Sequence, residues 1–408
     1  MVLGFFKQTA DFVTDSVTSP QTQRPFLAVA GTSITLGLAL GAIWAFERSP
    51  PKIIPSPLKA VQSAALNKDG ELPVLPLDVL PGARDVSTPY GSIRVYEWGP
   101  EDGHKVLLVH GISTPCVSLG GLAHSLVDRG CRVMTFDLFG RGFSDTPGDI
   151  PQDDRLFSTQ ILLALASSPL SWTGSSSGKF SLIGYSLGGG ITAAFASHFH
   201  DLLSSLVLLA PAGLMRESHV GWQTRLLNAK GLLPESVISS LVKGRLKAGP
   251  LVKPKKDNGS QNETVGVEAA LTEELTASPQ QVLSRTYPSL KTAEAVAWQI
   301  ENHDGFIPAF ISSMRHGPIL QKSQLDNWKR LGSFLSQRKR EGAGTGLAHD
   351  KVLVVLGETD NVIFKDDTVE DVTHALEGNA QITYFDIGHE FPSVKYEELA
   401  TQLIEFWK

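Results

Sequence analysis

The sequence has little that would build a disulfide framework or a metal site. Its 408 residues include two cysteines, Cys116 and Cys131, which are too few and too scattered for either purpose. Two buried free thiols are therefore expected. A Walker loop, a dinucleotide-binding fingerprint and an internal repeat are also missing from the sequence. We predict that the protein uses no cofactor and no metal.

Positive charge is not in excess either. Lysine and arginine number 36 against 42 aspartate and glutamate residues, for a formal net charge of −6. An acidic balance gives no reason to expect a nucleic-acid partner. Apolar residues make up 42% of the chain and charged residues 19%, so a large buried core is expected. The oligomeric state is left open.

Residues 26–46, "FLAVAGTSITLGLALGAIWAF", contain no charge. A helix of this length spans about 30 Å, the thickness of a bilayer core. A cleavable signal peptide has a shorter apolar region and a basic start, whereas Asp11 and Asp15 precede this one. We predict an N-terminal segment, residues 1–25, and a single-pass transmembrane helix, residues 26–46, with the bilayer as partner. Basic residues on both sides leave the orientation open. The organelle is also open, with the endoplasmic reticulum membrane as one candidate.

Residues 47–89 are rich in proline, as in "ELPVLPLDVLPGA". Proline fixes φ and disfavours helix, so this stretch predicts an extended linker between the membrane and a globular domain. The globular domain is expected to begin near Tyr90.

From Tyr90 onward, short apolar runs typical of buried strands alternate with helical patterns. This order predicts an α/β fold with a doubly wound, mostly parallel sheet. The predicted strands are Ser92–Trp98, Lys105–Gly111, Arg132–Asp137, Lys179–Tyr185, Ser205–Pro211, Lys351–Gly357 and Ala380–Gly388.

The stretch between Pro211 and Lys351 is too long for a loop between a strand and a helix. We assign residues 90–214 and 341–408 to the core and residues 215–340 to a helical lid. A lid can exclude water and select substrates. Its predicted helices are Glu217–Leu232, Val265–Glu301 and Leu325–Arg340.

The segment "FSLIGYSLGGGIT" places a serine between a strand and a helix. Gly184-Tyr185-Ser186-Leu187-Gly188 matches G-x-S-x-G in the strand–turn–helix setting of a nucleophile elbow. Gly184 and Gly188 flank the turn, where a side chain would collide. A second match, "GSSSG" at residues 174–178, follows no strand and is interpreted as a loop.

A serine hydroxyl needs a base to take its proton. Asp360 and His389 follow two later predicted strands, acid before histidine, at the strand ends where such sheets place their sites. We assign His389 as the general base and Asp360 as the acid that orients it. Glu358 remains an alternative acid.

An oxyanion hole needs two hydrogen-bond donors aimed at the developing charge. The backbone N–H of Leu187, directly after the nucleophile, is one candidate. The N–H of Ile112, in the loop after "VLLVHG", is the other. We expect His110 to brace that loop and not to act as the base.

Taken together, these motifs resemble the α/β-hydrolase superfamily in its lipase and esterase-like branch. In such families the D-x-x-G-x-G-x-S loop is structural, which implies that role for Asp137. Epoxide hydrolases and dehalogenases of the superfamily use an aspartate nucleophile, whereas this chain has Ser186. The residues that carry the resemblance are His110-Gly111, Asp137–Asp145, Gly184–Gly188, Asp360 and Gly388-His389.

The resemblance implies a serine hydrolase that cleaves carboxylic esters through an acyl-enzyme. With the predicted anchor, it favours lipid-type esters of the monoacylglycerol kind over a small soluble ester. A peptidase or a thioesterase of the same fold remains an alternative. A non-catalytic, membrane-anchored binding or scaffold protein is the third, against which the complete Ser–Asp–His set argues.

Overall fold

A computed structural model of the protein describes residues 51–66, 74–174, 178–219, 233–247, 281–342, 347 and 350–408. Met1–Ser49 and Lys230–Ile238 form one unit, of which only residues 233–238 are described. The other unit, Pro50–Ala229 with Ser239–Lys408, contains the sheet and the site described below. The predicted transmembrane helix, residues 26–46, lies outside the described residues. Within the described ranges, no helix combines the length and apolarity that crossing a bilayer requires.

An eight-stranded sheet organises this larger unit, and two short strands pair beside it. In the described residues the strands are β1 Ile53–Ile54, β2 Ala83–Thr88, β3 Gly91–Trp98, β4 His104–Val109, β5 Cys131–Phe136, β6 Thr146–Pro147, β7 Phe180–Tyr185, β8 Leu203–Leu209, β9 Val352–Gly357 and β10 Ala380–Phe385. The order in the sheet is β10-β9-β8-β7-β4-β5-β3-β2. The six strands from β10 to β5 pair in parallel, and β3 and β2 add an antiparallel edge. Strands β1 and β6 form the separate antiparallel pair.

The helices connect and cover these strands. Within the described residues the α-helices are α1 Leu58–Leu66, α2 Gly120–Asp128, α3 Asp154–Ala166, α4 Leu187–Phe199, α5 Glu235–Lys247, α6 Thr292–Asn302, α7 Phe306–His316, α8 Gln321–Glu341, α9 Lys365–Ala375, α10 Phe391–Val394 and α11 Tyr396–Phe406. Helix α4 packs on β7 and β8, α8 packs on α4, and α11 packs on α2.

The central strands are apolar runs buried along their whole length. All six residues of β7 and all six of β9 are buried, as expected for parallel strands covered on both faces. Edge strand β10 contains only partly buried and exposed residues instead. The mostly parallel sheet predicted from the sequence is therefore confirmed.

The prediction of an extended linker over residues 47–89 is wrong for the described part of this stretch. Strand β2 pairs with β3, and α1 lies earlier in the same stretch. The prolines stand between these elements, Pro57 before α1 and Pro81 before β2, so they delimit structure and do not prevent it. Its apolar residues join the core cluster of Tyr96, Phe143 and Trp298: Leu58, Val61, Leu75, Val79 and Leu80.

The helices predicted for residues 215–340 are found in part. Helix α8 contains the predicted Leu325–Arg340 and ends at Gly342, whose positive φ of 66° is typical of a helix C-terminus. The prediction Val265–Glu301 is wrong over the described residues 281–291, because the helix begins only at Thr292 after Pro288. Of Glu217–Leu232, only a 3₁₀ turn at Glu217–His219 lies within the described residues.

Buried hydrogen bonds attach helices α6 and α7 to the core. The His303 ring receives the N–H of Gly305 at Nδ1, so its Nε2 carries the proton and donates to the carbonyl of Ser144 at 2.9 Å. The Ser312 hydroxyl accepts the backbone N–H of Gln152 at 3.0 Å. These two helices thus form a fixed wall beside the loop that follows β5.

Candidate active site

Ser186 lies at a sharp turn between β7 and α4. Its φ of 55° and ψ of −119° are a conformation that non-glycine residues rarely adopt. A β-carbon at Gly184 would collide with the carbonyl of Gly188, and one at Gly188 would collide with that of Val109. The two glycines therefore let α4 start directly behind the serine, as the sequence predicts. Ser176, in the second G-x-S-x-G match, lies outside the described residues.

Ser186, His389 and Asp360 form a hydrogen-bonded chain. The Nε2 of His389 lies 3.0 Å from the Ser186 hydroxyl, and its Nδ1 lies 2.8 Å from the Asp360 carboxylate. The three residues are 5%, 0% and 6% exposed. Because a carboxylate only accepts, the neutral ring carries its proton on Nδ1, which leaves Nε2 to accept the serine proton.

The loop after β9 fixes the acid. One oxygen of Asp360 accepts the backbone N–H groups of Val362 and Ile363, at 2.7 and 2.8 Å. The other oxygen is thereby directed to His389. Glu358, the alternative acid, is exposed, and its position on the loop does not bring it into this chain.

His389 is held by the loop after β10. Gly357, the last residue of β9, has no side chain and lets the carbonyls of Ile387 and Gly388 pass close by. The hydroxyl of Tyr185 donates to the carbonyl of His389 at 3.1 Å, and the two rings lie 5.1 Å apart. We did not predict this contact from the sequence. The sequence feature that could have indicated this contact is the tyrosine directly before the nucleophile, because a buried tyrosine hydroxyl needs a hydrogen-bond partner.

The two predicted oxyanion donors begin a helix and a braced loop. Leu187 is the first residue of α4, so its N–H has no acceptor inside the helix. In the loop after β4, His110 accepts the N–H of Leu138 at Nε2 and donates from Nδ1 to the carbonyl of Gly111, both at 2.8 Å. Because a trans peptide points its N–H opposite to its carbonyl, His110 turns the N–H of Ile112 away from itself.

Complete burial and the nearby charge of Arg141 lower the pKa of His110 to about 3. The ring is therefore neutral at physiological pH, as its two hydrogen bonds require. His110 braces the loop and lies outside the Ser186–His389–Asp360 chain.

Asp137 has the structural position that the sequence resemblance implies. Its carboxylate accepts the N–H groups of Cys116 and Phe143, both at 2.9 Å, and its carbonyl accepts the Ser144 hydroxyl at 2.6 Å. Burial raises the pKa of Asp137. Gly142 has a φ of 52° and lies against the carboxylate, where a side chain would not fit. Cys116 and Cys131 are both buried free thiols, as expected.

The described ranges contain no group of three or more histidine, cysteine, aspartate or glutamate side chains that could hold a metal. What they contain is a serine, a histidine and an aspartate joined by hydrogen bonds. Such an arrangement can activate the serine as a nucleophile.

Comparison with known proteins identifies the family. The family described as alpha/beta hydrolase fold matches residues 105–396, more than half of the chain. The protein therefore belongs to the alpha/beta hydrolases, which confirms the resemblance inferred from its motifs.

Individual relatives are distant. A serine hydrolase-like protein of Homo sapiens is 28% identical over 135 residues, 33% of this chain and 62% of that protein. An uncharacterised protein of Mycobacterium tuberculosis is 27% identical over 144 residues, 35% of this chain and 39% of that protein. The chain thus matches less than two thirds of the length of either relative. The structure of an esterase from Thermogutta terrifontis, 18% identical, covers 79% of this chain and 97% of its own with a TM-score of 0.51, and shows the shared fold.

The neutral state of His110 predicts how stability depends on pH. Its pKa is lowered in the folded state from 6.5 to about 3. Its contribution is therefore complete above pH 6.5 and is lost as pH falls, by about 1.4 kcal/mol per pH unit. Wild type should be more stable than His110→Asn at pH 7, and this difference should shrink by about 2 kcal/mol at pH 5.

Urea unfolding of both proteins at pH 7 and pH 5 checks this expectation. The subtraction cancels the other titrating groups that the two proteins share. A difference that stays constant between the two pH values would contradict a neutral, buried His110.

Proposed function

We propose that the protein is a serine hydrolase that cleaves carboxylic esters through an acyl-enzyme on Ser186. The observation that carries this proposal is the pair of hydrogen bonds at His389, 3.0 Å to Ser186 and 2.8 Å to Asp360. Burial of three polar side chains lowers stability unless each finds a hydrogen-bond partner in the core, so a buried chain of this kind indicates a function.

In the first half-reaction, the Ser186 oxygen attacks the ester carbonyl while its proton moves to Nε2 of His389. Asp360 stabilises the resulting imidazolium, and the N–H groups of Leu187 and Ile112 stabilise the negative carbonyl oxygen. The intermediate collapses, the C–O bond to the alcohol breaks, and His389 returns the proton to the departing alcohol. Water then repeats the sequence on the acyl-enzyme, releasing the carboxylic acid and restoring Ser186.

The same residues could serve a thioesterase or a peptidase, since both also proceed through an acyl-enzyme. An ester is favoured by the motifs of the lipase and esterase-like branch, and the esterase from Thermogutta terrifontis has the same fold. A scaffold protein would need neither the strained Ser186 nor the contact to His389.

Replacement of Ser186 tests the mechanism. Ser186→Ala should abolish covalent labelling by a fluorophosphonate and lower ester turnover by several orders of magnitude, because the triad acts as a unit. Asp360→Asn should also cripple turnover, because the N–H groups of Val362 and Ile363 hold the amide oxygen and leave its NH2 group, a donor, facing Nδ1 of His389. Ser197→Ala is the matched control, because Ser197 is also buried on α4 but bonds only to Ala194 and Asn327. Full activity in Ser186→Ala would refute the mechanism.

We further propose that the substrate is a lipid-type ester of the monoacylglycerol kind. The support is the uncharged segment 26–46, which would hold the domain near a bilayer where such esters concentrate. Apolar side chains that could bury an acyl chain give less support. Ile307, Phe310 and Ile311 are buried in the wall formed by α7, and Leu226 and Leu227 lie outside the described residues.

Specificity across acyl chain lengths tests this substrate class. Burial of each methylene group contributes about 0.8 kcal/mol, so four more should favour a long chain over a hundredfold if all are buried. We expect kcat/KM to rise across esters from short to long acyl chains, with a shortened protein beginning at Pro50 removing any effect of membrane partitioning. A maximum at the shortest acyl chains would contradict the lipid ester and leave a general esterase.

The anchor is proposed on the sequence of residues 26–46 alone. The full chain should sediment with membranes and resist carbonate extraction, because a spanning helix is not released by alkali. The shortened protein beginning at Pro50 should remain in the supernatant and still react with the fluorophosphonate. Full-length protein in the supernatant with its N-terminus intact would contradict the anchor.

A further inference from the structure

Three consecutive carbonyls in the loop after β4, those of residues 111–113, each accept a hydrogen bond from a buried side chain. This loop carries the Ile112 N–H that we assign to the oxyanion hole. The three donors come from three parts of the chain: His110 to Gly111 at 2.8 Å, Arg141 to Ile112 at 3.0 Å, and Gln299 to Ser113 at 3.0 Å.

Gln299 links the insertion to this loop. It lies on α6, is fully buried, and uses both ends of its amide. Its oxygen accepts the N–H of Gly142 at 2.7 Å, which leaves its nitrogen to donate to Ser113. A helix outside the predicted core thus sets the orientation of a peptide one residue from Ile112.

Arg141 is a buried guanidinium surrounded by neutral acceptors. Besides Ile112, it donates to the Phe139 carbonyl at 2.9 Å, to Gln152 at 3.3 Å and to the Ser313 hydroxyl at 2.9 Å. Among the described residues, no carboxylate oxygen lies within 4.0 Å of its nitrogens. Burial lowers the pKa of Arg141 to about 9, so the group is still charged at neutral pH.

We propose that Arg141 and Gln299 are positioning residues of the oxyanion hole, and that Arg141 also places an uncompensated positive charge behind it. The inference rests on the proposed function. The peptides on either side of Ile112 are fixed by His110 and Arg141, so its N–H has one direction. A positive charge with no carboxylate partner attracts the substrate oxygen more strongly once that oxygen becomes negative, which favours the transition state over the ground state.

Gln299→Leu tests the positioning role against a matched control. Gln160 is equally buried and also bridges an N–H and a carbonyl, those of Phe139 and Asp137, at 3.1 and 3.0 Å. Its amide hydrogen-bonds to the same loop as that of Gln299, but not to the carbonyls of residues 111–113. Both substitutions should lower the melting temperature. Gln299→Leu should lower it somewhat more, because it leaves two backbone groups unpaired, whereas in Gln160→Leu the carbonyl of Asp137 keeps its bond from the Ser144 hydroxyl.

Only Gln299→Leu should also impair catalysis. We expect kcat and the rate of fluorophosphonate labelling to fall about tenfold to a hundredfold with KM little changed, less than the full loss of an oxyanion donor. Gln160→Leu should have a much smaller effect on both. Equal kinetic effects of the two substitutions, in an active wild-type background, would overturn the positioning role.

Arg141→Lys and Arg141→Met separate charge from shape. The lysine carries the charge when it is protonated but loses the planar fork of donors, and the methionine loses both. At equal melting temperatures, Arg141→Lys should retain a higher kcat than Arg141→Met. A trifluoromethyl ketone forms an adduct with the serine that carries the oxyanion, so this inhibitor should bind Arg141→Lys more tightly than Arg141→Met. Equal kcat values and equal inhibitor affinities of the two variants would overturn the proposal that the charge of Arg141 stabilises the oxyanion.

The proposed function fails in a different way. A wild-type protein that neither hydrolyses esters nor reacts with the fluorophosphonate would contradict the serine hydrolase itself. If the wild type is active and the Gln299→Leu and Gln160→Leu variants have the same kinetics, only the positioning role of Gln299 is contradicted.

Discussion

The backbone at Ser186 is the constraint on which the site depends. A positive φ at a non-glycine residue costs of order 1–3 kcal/mol and persists only when the surroundings enforce it. Here the N–H of Ser186 donates to the carbonyl of Leu209 on β8, and its carbonyl accepts the N–H of Ala212. Gly184 and Gly188 allow α4 to approach closely enough for this turn. The packing of the sheet and α4 therefore holds the Ser186 hydroxyl against His389 before any substrate binds.

The residues around the turn are held by contacts to main-chain groups more than by contacts to one another. Two N–H groups orient Asp360, the Tyr185 hydroxyl holds the backbone of His389, and Asp137 joins two loops through their N–H groups. Backbone groups move less than side chains, so they give a precise frame for the reacting atoms. The buried polar network fixes the geometry of the site, and the desolvation of its polar groups opposes folding.

Much of this could be predicted from the sequence, because continuous apolar runs mark buried parallel strands and the chain order of Ser186, Asp360 and His389 follows their ends. Strand β2 was missed because prolines around it suggested a linker, while its partner β3 lies next to it in the sheet. The contacts of Arg141 and Gln299 could not be predicted, because they join positions 172 and 157 residues apart in the sequence, which only the folded chain brings together. A glutamine on an amphipathic helix carries no local sign that its amide bridges two backbones.

Mass mapping of the acyl-enzyme tests the central claim most directly. The protein would be mixed with an excess of a p-nitrophenyl ester and quenched in acid during turnover. It would then be digested, and the masses of its peptides would be measured by mass spectrometry. The account predicts one acyl group per chain, on the peptide that contains Ser186, and none in His389→Ala over the same time. Ester consumption with the acyl group on another residue, or with no acyl-enzyme and undiminished turnover in His389→Ala, would contradict it.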